Sequence, residues 1–353
     1  MIHIDKVAFE RANAVMAGFP RSILSQAPTP LDPLNGIMTD TGGQNLFVKR
    51  DDLTGLAFGG NKARQLEYYF GEALDQGADT VLITGAVQSN FVRTCAAAAQ
   101  KLGLKCEVQL EDRVKGMPEG QEKKGNALLD RILGVPIHHF PVGEEENAAD
   151  DNLDKLAEGL RAKGQKPYVV HLGVDHAPVG ALGYIDCARE IIEQTAAAGL
   201  PLRTVVVPSG SAASHAGILC GLRLYGSDAT VHGICVRRPS DQQFARVSKR
   251  SKILCDMLGH PDLLSDGDVI TNDGYYGEGY GKPTPGTMAA ISKAARREAL
   301  LLDPVYSGKA FDGFLGLLNE GAIGQDGATV YIHTGGTPGL FAYAHLWDVP
   351  RSA

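Results

Sequence analysis

The sequence has little of what membranes, oxidising compartments or nucleic acids select for. No run approaches the ~18 apolar residues that cross a bilayer. Met1–Lys6 carries no apolar segment of signal-peptide length. Six cysteines, at 95, 106, 187, 220, 235 and 255, form no C-x-x-C pair and are too sparse among 353 residues for a disulfide scaffold. Reduced, buried thiols in a cytoplasmic protein are the expectation. The formal charge is −7 and no block of Lys and Arg stands out, so nucleic-acid binding is not expected. The ten histidines are scattered. Only His138 and His139 adjoin, and neighbours on a strand face opposite ways, so no metal site is expected. No G-x-S-x-G elbow occurs, and Gly277-x-Gly279-x-Gly281 lacks the third glycine of a dinucleotide fingerprint. Gly281-Lys282-Pro283-Thr284 fails as a phosphate loop, because Tyr276 stands where glycine is required and Pro283 follows the lysine.

Glycine, in contrast, is abundant: 43 residues, about 12% against a usual ~7%. It is dispersed, as many tight strand-to-helix turns would require. Short β-branched runs at 80–84, 105–110, 168–170, 204–207, 231–236 and 328–333 alternate with helical stretches at 89–102, 181–198, 214–225, 241–258 and 286–302. Strands apolar on both faces, separated by helices, predict an α/β fold of parallel sheets covered by helices. The length predicts about two domains at ~150 residues each. The acidic stretch Glu144–Asp154 reads as an exposed loop leading into a helix. Gly59-Gly60 and Ala177–Gly183 read as hinges.

Four segments are dense in polar and glycine residues at predicted strand ends, where α/β proteins bind ligands. The first runs from Lys49-Arg50-Asp51-Asp52 to Gly59-Gly60-Asn61-Lys62. It sets Lys62 at the start of an amphipathic helix with apolar positions Leu66, Tyr69, Phe70, Ala73 and Leu74. A helix N-terminus disfavours a cation, so the Lys62 amine would be a better nucleophile than an ordinary lysine. The second, Thr84–Asn90, offers backbone N–H groups with Gln88, Ser89 and Asn90 as a carboxylate cradle. The third, Pro208–Gly217, offers an anion cup of backbone N–H groups with Ser211 and Ser214. The fourth, Gly274–Gly281 followed by Asp303–Lys309, carries tyrosines between glycines, with phenols aimed at a pocket. A nucleophilic lysine, a metal-free anion cup, a carboxylate cradle and phenols for proton transfer are together what pyridoxal 5'-phosphate chemistry needs.

Three motifs also carry a resemblance: Gly-Gly-Asn-Lys-x-Arg-x-Leu-Glu at 59–67, Gly-Ala-x-Gln-Ser-Asn at 85–90, and Asp-Pro-Val-Tyr-Ser-Gly-Lys at 303–309. The chain resembles the 1-aminocyclopropane-1-carboxylate deaminase / D-cysteine desulfhydrase family from about Leu24 to His345. Leu110–Arg113 and Gly274–Thr284 look most like its L-cysteate sulfo-lyase branch. The resemblance implies a fold-type-II pyridoxal phosphate enzyme, tryptophan synthase β-like, with the cofactor between two open parallel α/β domains. Residues 1–60 and 184–353 would form the large domain and 61–183 the small inserted one. Lys62 would be the Schiff-base lysine, Asn90 would hydrogen-bond the ring's 3-hydroxyl oxygen, and Ser89 would contact the substrate carboxylate and move a proton. Ser211, Ala212, Ala213 and Ser214 would hold the phosphate, Tyr280 and Tyr306 would flank the substrate, and Ser307 would face the pyridine nitrogen. Cyclopropane deaminases carry Glu at that last position, so Ser307 favours β-elimination. Gln65, Phe91, Ala213 and the turn 171–178 depart from the family pattern. The implied activity is α,β-elimination on L-cysteate or D-cysteine, giving pyruvate, ammonia and sulfite or sulfide, by a cytoplasmic homodimer. The alternatives are ring-opening deamination and a non-catalytic binder of pyridoxal phosphate or amino acids.

Overall fold

The computed structural model describes residues 5–117, 119–143 and 145–347. Residues 1–4 of the N-terminal stretch and Glu144 of the acidic stretch lie outside them.

Among the described residues ten strands form two sheets. The larger runs in the order β1 (Leu31–Pro33), β2 (Leu46–Lys49), β10 (Ala328–Ile332), β7 (Leu202–Ser209), β8 (Thr230–Cys235) and β9 (Ile270–Asn272). Only β1 pairs antiparallel. The smaller is wholly parallel, in the order β5 (Ile137–Phe140), β4 (Lys105–Glu111), β3 (Thr80–Ala86) and β6 (Pro167–Val170). Central strands are buried on both faces, as in β3 and β10, which is why they read as apolar runs and not as alternation.

The strand orders locate the binding cleft. In the smaller sheet the chain leaves β3 for β4 and β5, then returns to β6 on the other side of β3. In the larger sheet it leaves β7 for β8 and β9, then returns to β10 on the other side of β7. Such reversals leave crevices outside the carboxyl ends of the strands, where ligands bind. The turns after β3, β7 and β10 therefore become the candidate site.

The helix Asn61–Asp75 ties the layers together. Leu66, Tyr69 and Phe70 pack in the core of the smaller sheet, while Tyr68 packs with Phe9, Leu182 and Ile185 beside the larger. Leu74, expected on the apolar face, is 41% exposed. Arg64, Gln65 and Glu67 are buried instead, so this helix hides polar groups that a periodicity reading assigns to water. The acidic stretch becomes the helix Glu146–Arg161, whose Ala149, Asp150 and Leu153 are buried. The helix Ser307–Asn319 lies outside the helical stretches that the sequence predicts. It buries Ala310, Phe311, Phe314 and Leu317 under the larger sheet.

Candidate active site

One cavity gathers the turns at the two strand reversals. Its lining includes Lys62, Ser89, Asn90, Ser211, Ala212, Ser214, Tyr280 and Tyr306.

Lys62 reaches it because the chain turns on Gly59 and Gly60, both at positive φ (62° and 105°). A Cβ on Gly59 would lie 2.1 Å from the Asp52 carbonyl oxygen, so no other residue fits. The Lys62 Nζ donates to Gln65 Oε1 at 3.1 Å and lies 4.8 Å from the centre of the Phe91 ring. Burial, reinforced by the Arg250 charge, lowers its pKa to about 8. Gln65 also donates to Ser214 Oγ at 2.9 Å, and Asn61 to the same oxygen at 3.1 Å. Where the family pattern has a lysine, a neutral amide thus links the amine to the 211–214 turn.

That turn follows β7 and opens the helix Ala213–Leu224. Its first N–H groups have no helical acceptor and face an anion favourably. Ala212 holds φ +73°, a strained value for a residue with a Cβ. Ala213, which departs from the family pattern, is not among the positive-φ residues, so the strain of this turn sits one residue earlier. Ala213 itself packs in the core with Leu182 and Ile185 and leaves the cavity wall to its neighbours. Behind the turn, Ser209 Oγ bonds His215 Nδ1 at 3.0 Å, and burial lowers the His215 pKa to about 3, so this histidine stays neutral.

After β3, Ser89 caps the helix Asn90–Leu102, its Oγ accepting from Phe91 and Val92 N–H at 3.2 Å each. A Cβ on Gly85 would sit 2.6 Å from that Oγ, which fixes glycine there. Asn90 Oδ1 accepts from Asn126 Nδ2 at 2.9 Å. Gln88 does not line the Lys62 cavity. Its amide donates to the Gln121 and Lys124 carbonyls and accepts from Asn126 N–H, pinning the 121–126 loop. It lines instead a second cavity of about 460 Å³ that shares Asn90, Arg113, Tyr280 and Tyr306 with the first.

The Tyr280 and Tyr306 hydroxyls bond one another, their rings edge-on with centroids 5.7 Å apart. Burial raises both phenol pKa values despite Arg113 and Arg237 nearby, so both stay protonated. The other phenols of the fourth segment point elsewhere. Tyr275, partly buried, packs against the core of the larger sheet, and Tyr276 stacks on the Lys309 ammonium. Ser307 is also absent from the cavity wall. Its hydroxyl and N–H both donate to Asp303 Oδ1, at 2.6 and 2.9 Å, and Asp303 takes the place on the wall. Lys49 and Asp51 of the first segment belong to a separate buried network.

Several lining residues were missed by the sequence reading: Arg237, Arg246, Glu146 and the Thr334-Gly335 turn after β10, with Arg113 noticed only as part of a motif. The glycine pair Gly335-Gly336, directly after a predicted strand, was a usable signal for the last of these. Phe91 and Leu172, from the departing positions, do border the cavity.

The sequence pattern described as pyridoxal-phosphate dependent enzyme matches residues 23–335. The chain belongs to that family. It is 40% identical over 328 residues to a D-cysteine desulfhydrase of Serratia proteamaculans, covering 93% of this chain and 97% of the relative. A crystal structure of an ACC deaminase homologue superposes with a TM-score of 0.85 at 35% identity, covering 95% of this chain and 98% of the other. The processed threonine deaminase isoform 2 of Solanum lycopersicum shares the fold at a TM-score of 0.63 and 15% identity, covering 95% and 90%. The fold is that of the fold-type-II pyridoxal phosphate enzymes.

The donor chemistry of the cavity fits this cofactor. An amine of lowered pKa meets an aldehyde, a helix start with two serines meets a phosphate, and the neutral side chains of Asn61, Ser89 and Asn90 stand on the same wall, with the charged Arg113, Glu146, Arg237, Arg246 and Asp303 on the rest of it. Among the described residues no cluster of His, Cys, Asp and Glu could hold a metal ion. No helix among them is long and apolar enough to cross a membrane.

Proposed function

We propose that this chain is a pyridoxal phosphate-dependent carbon–sulfur lyase. It removes the β-substituent of a small sulfur amino acid, D-cysteine or L-cysteate, and yields pyruvate, ammonia and sulfide or sulfite. The observation that carries the reading is the Lys62 amine, lowered to about 8, in one cavity with an anion-binding helix start and two protonated phenols.

Bound there, the cofactor supplies the electron sink for bond cleavage at Cα and Cβ. Lys62 Nζ, half neutral near pH 8, provides the nucleophile for the aldehyde and the base that takes the Cα proton. The 211–214 turn holds the phosphate without a metal. Ser89 and the N–H groups beside it hold the substrate carboxylate, and Asn90 orients the ring hydroxyl. Tyr280 and Tyr306 act as proton donors. Ser307 acts through Asp303, which it fixes on the wall.

The division into 1–60 with 184–353 and 61–183 is the one we propose for domain movement around the cofactor. Large apolar side chains left exposed at Ile23, Leu53, Phe58 and Phe341 support a homodimer. All six cysteines are unpaired and buried, even Cys220 and Cys255 with sulfurs 3.7 Å apart, which supports a reducing, cytoplasmic location.

The test is pyruvate release from L-cysteate, D-cysteine, L-cysteine and the cyclopropane amino acid, with Lys62→Ala beside the wild type. Wild type is expected to release pyruvate from a sulfur substrate and to leave the cyclopropane amino acid intact. Lys62→Ala should lose at least ~10³-fold in kcat and fail to retain cofactor on borohydride reduction. Reductive capture by the wild type should rise with pH through about 8, as the Lys62 amine loses its proton. A fully active Lys62→Ala protein would end the assignment.

A further inference from the structure

One stretch of the cavity wall is richer in positive charge than the proposed reaction on a thiol requires. Glu146 stands at the start of its helix in the smaller-sheet layer, facing the end of β8 and the helix Ser240–Met257 of the larger. Its Oε1 accepts from Arg237 at 2.6 Å and Arg238 at 2.7 Å, and its Oε2 pairs with Arg246 at 2.7 Å. Arg113, held by Glu111 through two bonds of 2.7 Å, lines the same wall. The side chains of Glu146, Arg237 and Arg246 are at most 10% exposed. Burial and mutual repulsion depress the Arg238 pKa to about 10 and lower that of Arg246, while the guanidiniums hold Glu146 down at about 2.

The wall stands against the reacting part of the cavity. The Arg237 guanidinium lies 5.7 Å from the centre of the Tyr280 ring, whose hydroxyl meets Tyr306. Arg246 Nε donates to the Ser211 carbonyl at 3.3 Å, at the edge of the anion turn. A carboxylate clamped by several planar, multidentate guanidiniums is the geometry of a bound oxyanion.

We propose that Glu146 is a built-in placeholder, and that Arg237 and Arg246 select substrates carrying a second oxyanion, a sulfonate, on Cβ. This rests on the lyase reading and narrows its substrate. An arriving sulfonate displaces the Glu146 carboxylate from the arginines. When the Cβ–S bond breaks, its electron pair leaves with sulfur as sulfite, and the same guanidiniums face the growing charge. The proton taken from Cα stays with the enzyme's base until product forms.

The experiment has a binding arm and a turnover arm. The holoenzyme is titrated calorimetrically with 3-sulfopropanoate and with propanoate, neither of which has an amine to react. Wild type should bind the sulfonate at least ~10-fold more tightly, a difference of ~1.4 kcal/mol. Glu146→Gln should tighten it by a further ~10-fold, because the competing charge is gone. Arg237→Gln should erase the preference. In turnover, the ratio of kcat/KM for cysteate over cysteine of the same hand should fall at least ~10-fold in Arg237→Gln. Should that variant not fold, Arg237→Lys, which keeps the charge and loses the fork, reads the same ratio. Equal binding of the two propanoates, or an unchanged ratio, overturns the proposal. So does a fall in cofactor affinity with the ratio preserved, which would assign the arginines to the cofactor's phosphate. Absence of pyruvate from every substrate would instead remove the lyase reading, and the sulfonate titration would still judge the placeholder.

Discussion

Two buried ionic clusters in this molecule differ in their balance. One joins Lys49 and Arg64 to Asp51 and Glu190. Arg64 donates to Glu190 at 2.7 Å and Asp51 at 3.0 Å, Lys49 donates to Glu190 at 2.7 Å, and Thr29 and Tyr184 complete the shells. Arg64 holds its proton well above the usual range, and both acids sit below theirs, although burial alone would raise them. The other cluster sets Glu146 against Arg237, Arg238 and Arg246, and there two guanidiniums are pushed down. Matched charges with full shells make a structural joint. A crowd of cations around one carboxylate, on the wall of a cavity, is what a site for an anion looks like.

Breaking the balanced cluster should therefore act on stability. Arg64→Met removes one partner and leaves Asp51 and Glu190 uncompensated, which costs about 3–5 kcal/mol. Denaturant unfolding measures it, and a loss under ~1 kcal/mol would show that the joint is not structural. The next effect belongs to the cation-rich wall. If Arg113 and Arg237 dominated Tyr306, its phenol would ionise in the working range. Burial wins instead and keeps it a donor. Tyr306→Phe should lower kcat by roughly 10²-fold, typical of a lost acid or base, with cofactor affinity within a few-fold of wild type. No limb from Tyr306 ionisation should mark the wild-type pH profile below ~9. Cofactor loss with normal turnover on resaturation would make the phenol structural.

The two clusters also mark how far the sequence was legible. Lys62, Ser89, Asn90, Ser211 and Ser214 each stand in a short run of glycines and polar residues directly after a predicted strand. Local spacing located them because local backbone geometry makes those turns, as the Gly59 and Gly85 contacts show. Glu146 and Arg237 are 91 positions apart and meet only through the packing of two sheets. No local pattern marks such a pair. Gln88 and Ser307 failed differently. Both stand in the right motif, yet one side chain is engaged by the 121–126 loop and the other by Asp303. A motif gives a residue's place on the chain and leaves open which partner wins its hydrogen bonds.

A third buried charge tests whether balance, not proximity, decides ionisation. Asp130 and Arg93 are both fully buried and coupled, but Arg93 gives its N–H groups to the Ala57 and Gly59 carbonyls, and both Asp130 carboxylate oxygens lack a hydrogen-bond partner. Burial raises the Asp130 pKa to about 7, the Arg93 charge opposing it only in part. The sign follows from linkage: a group whose pKa is higher folded than unfolded binds its proton more tightly in the native state. Its favourable contribution is complete below the ordinary carboxylate range near pH 4 and is lost as pH rises toward 7. Wild-type stability should therefore decline across that window through this residue, and Asp130→Asn should remove the decline. At pH 8 the variant should be the more stable by about 1–2 kcal/mol, the scale of an unsatisfied buried polar group. Unfolding free energies of both proteins at pH 5 and pH 8 decide it. Parallel pH dependence in the two would mean that Arg93 alone keeps Asp130 ionised, and that a single cation without a hydrogen bond to the acid balances it as well as the full shell around Asp51 does.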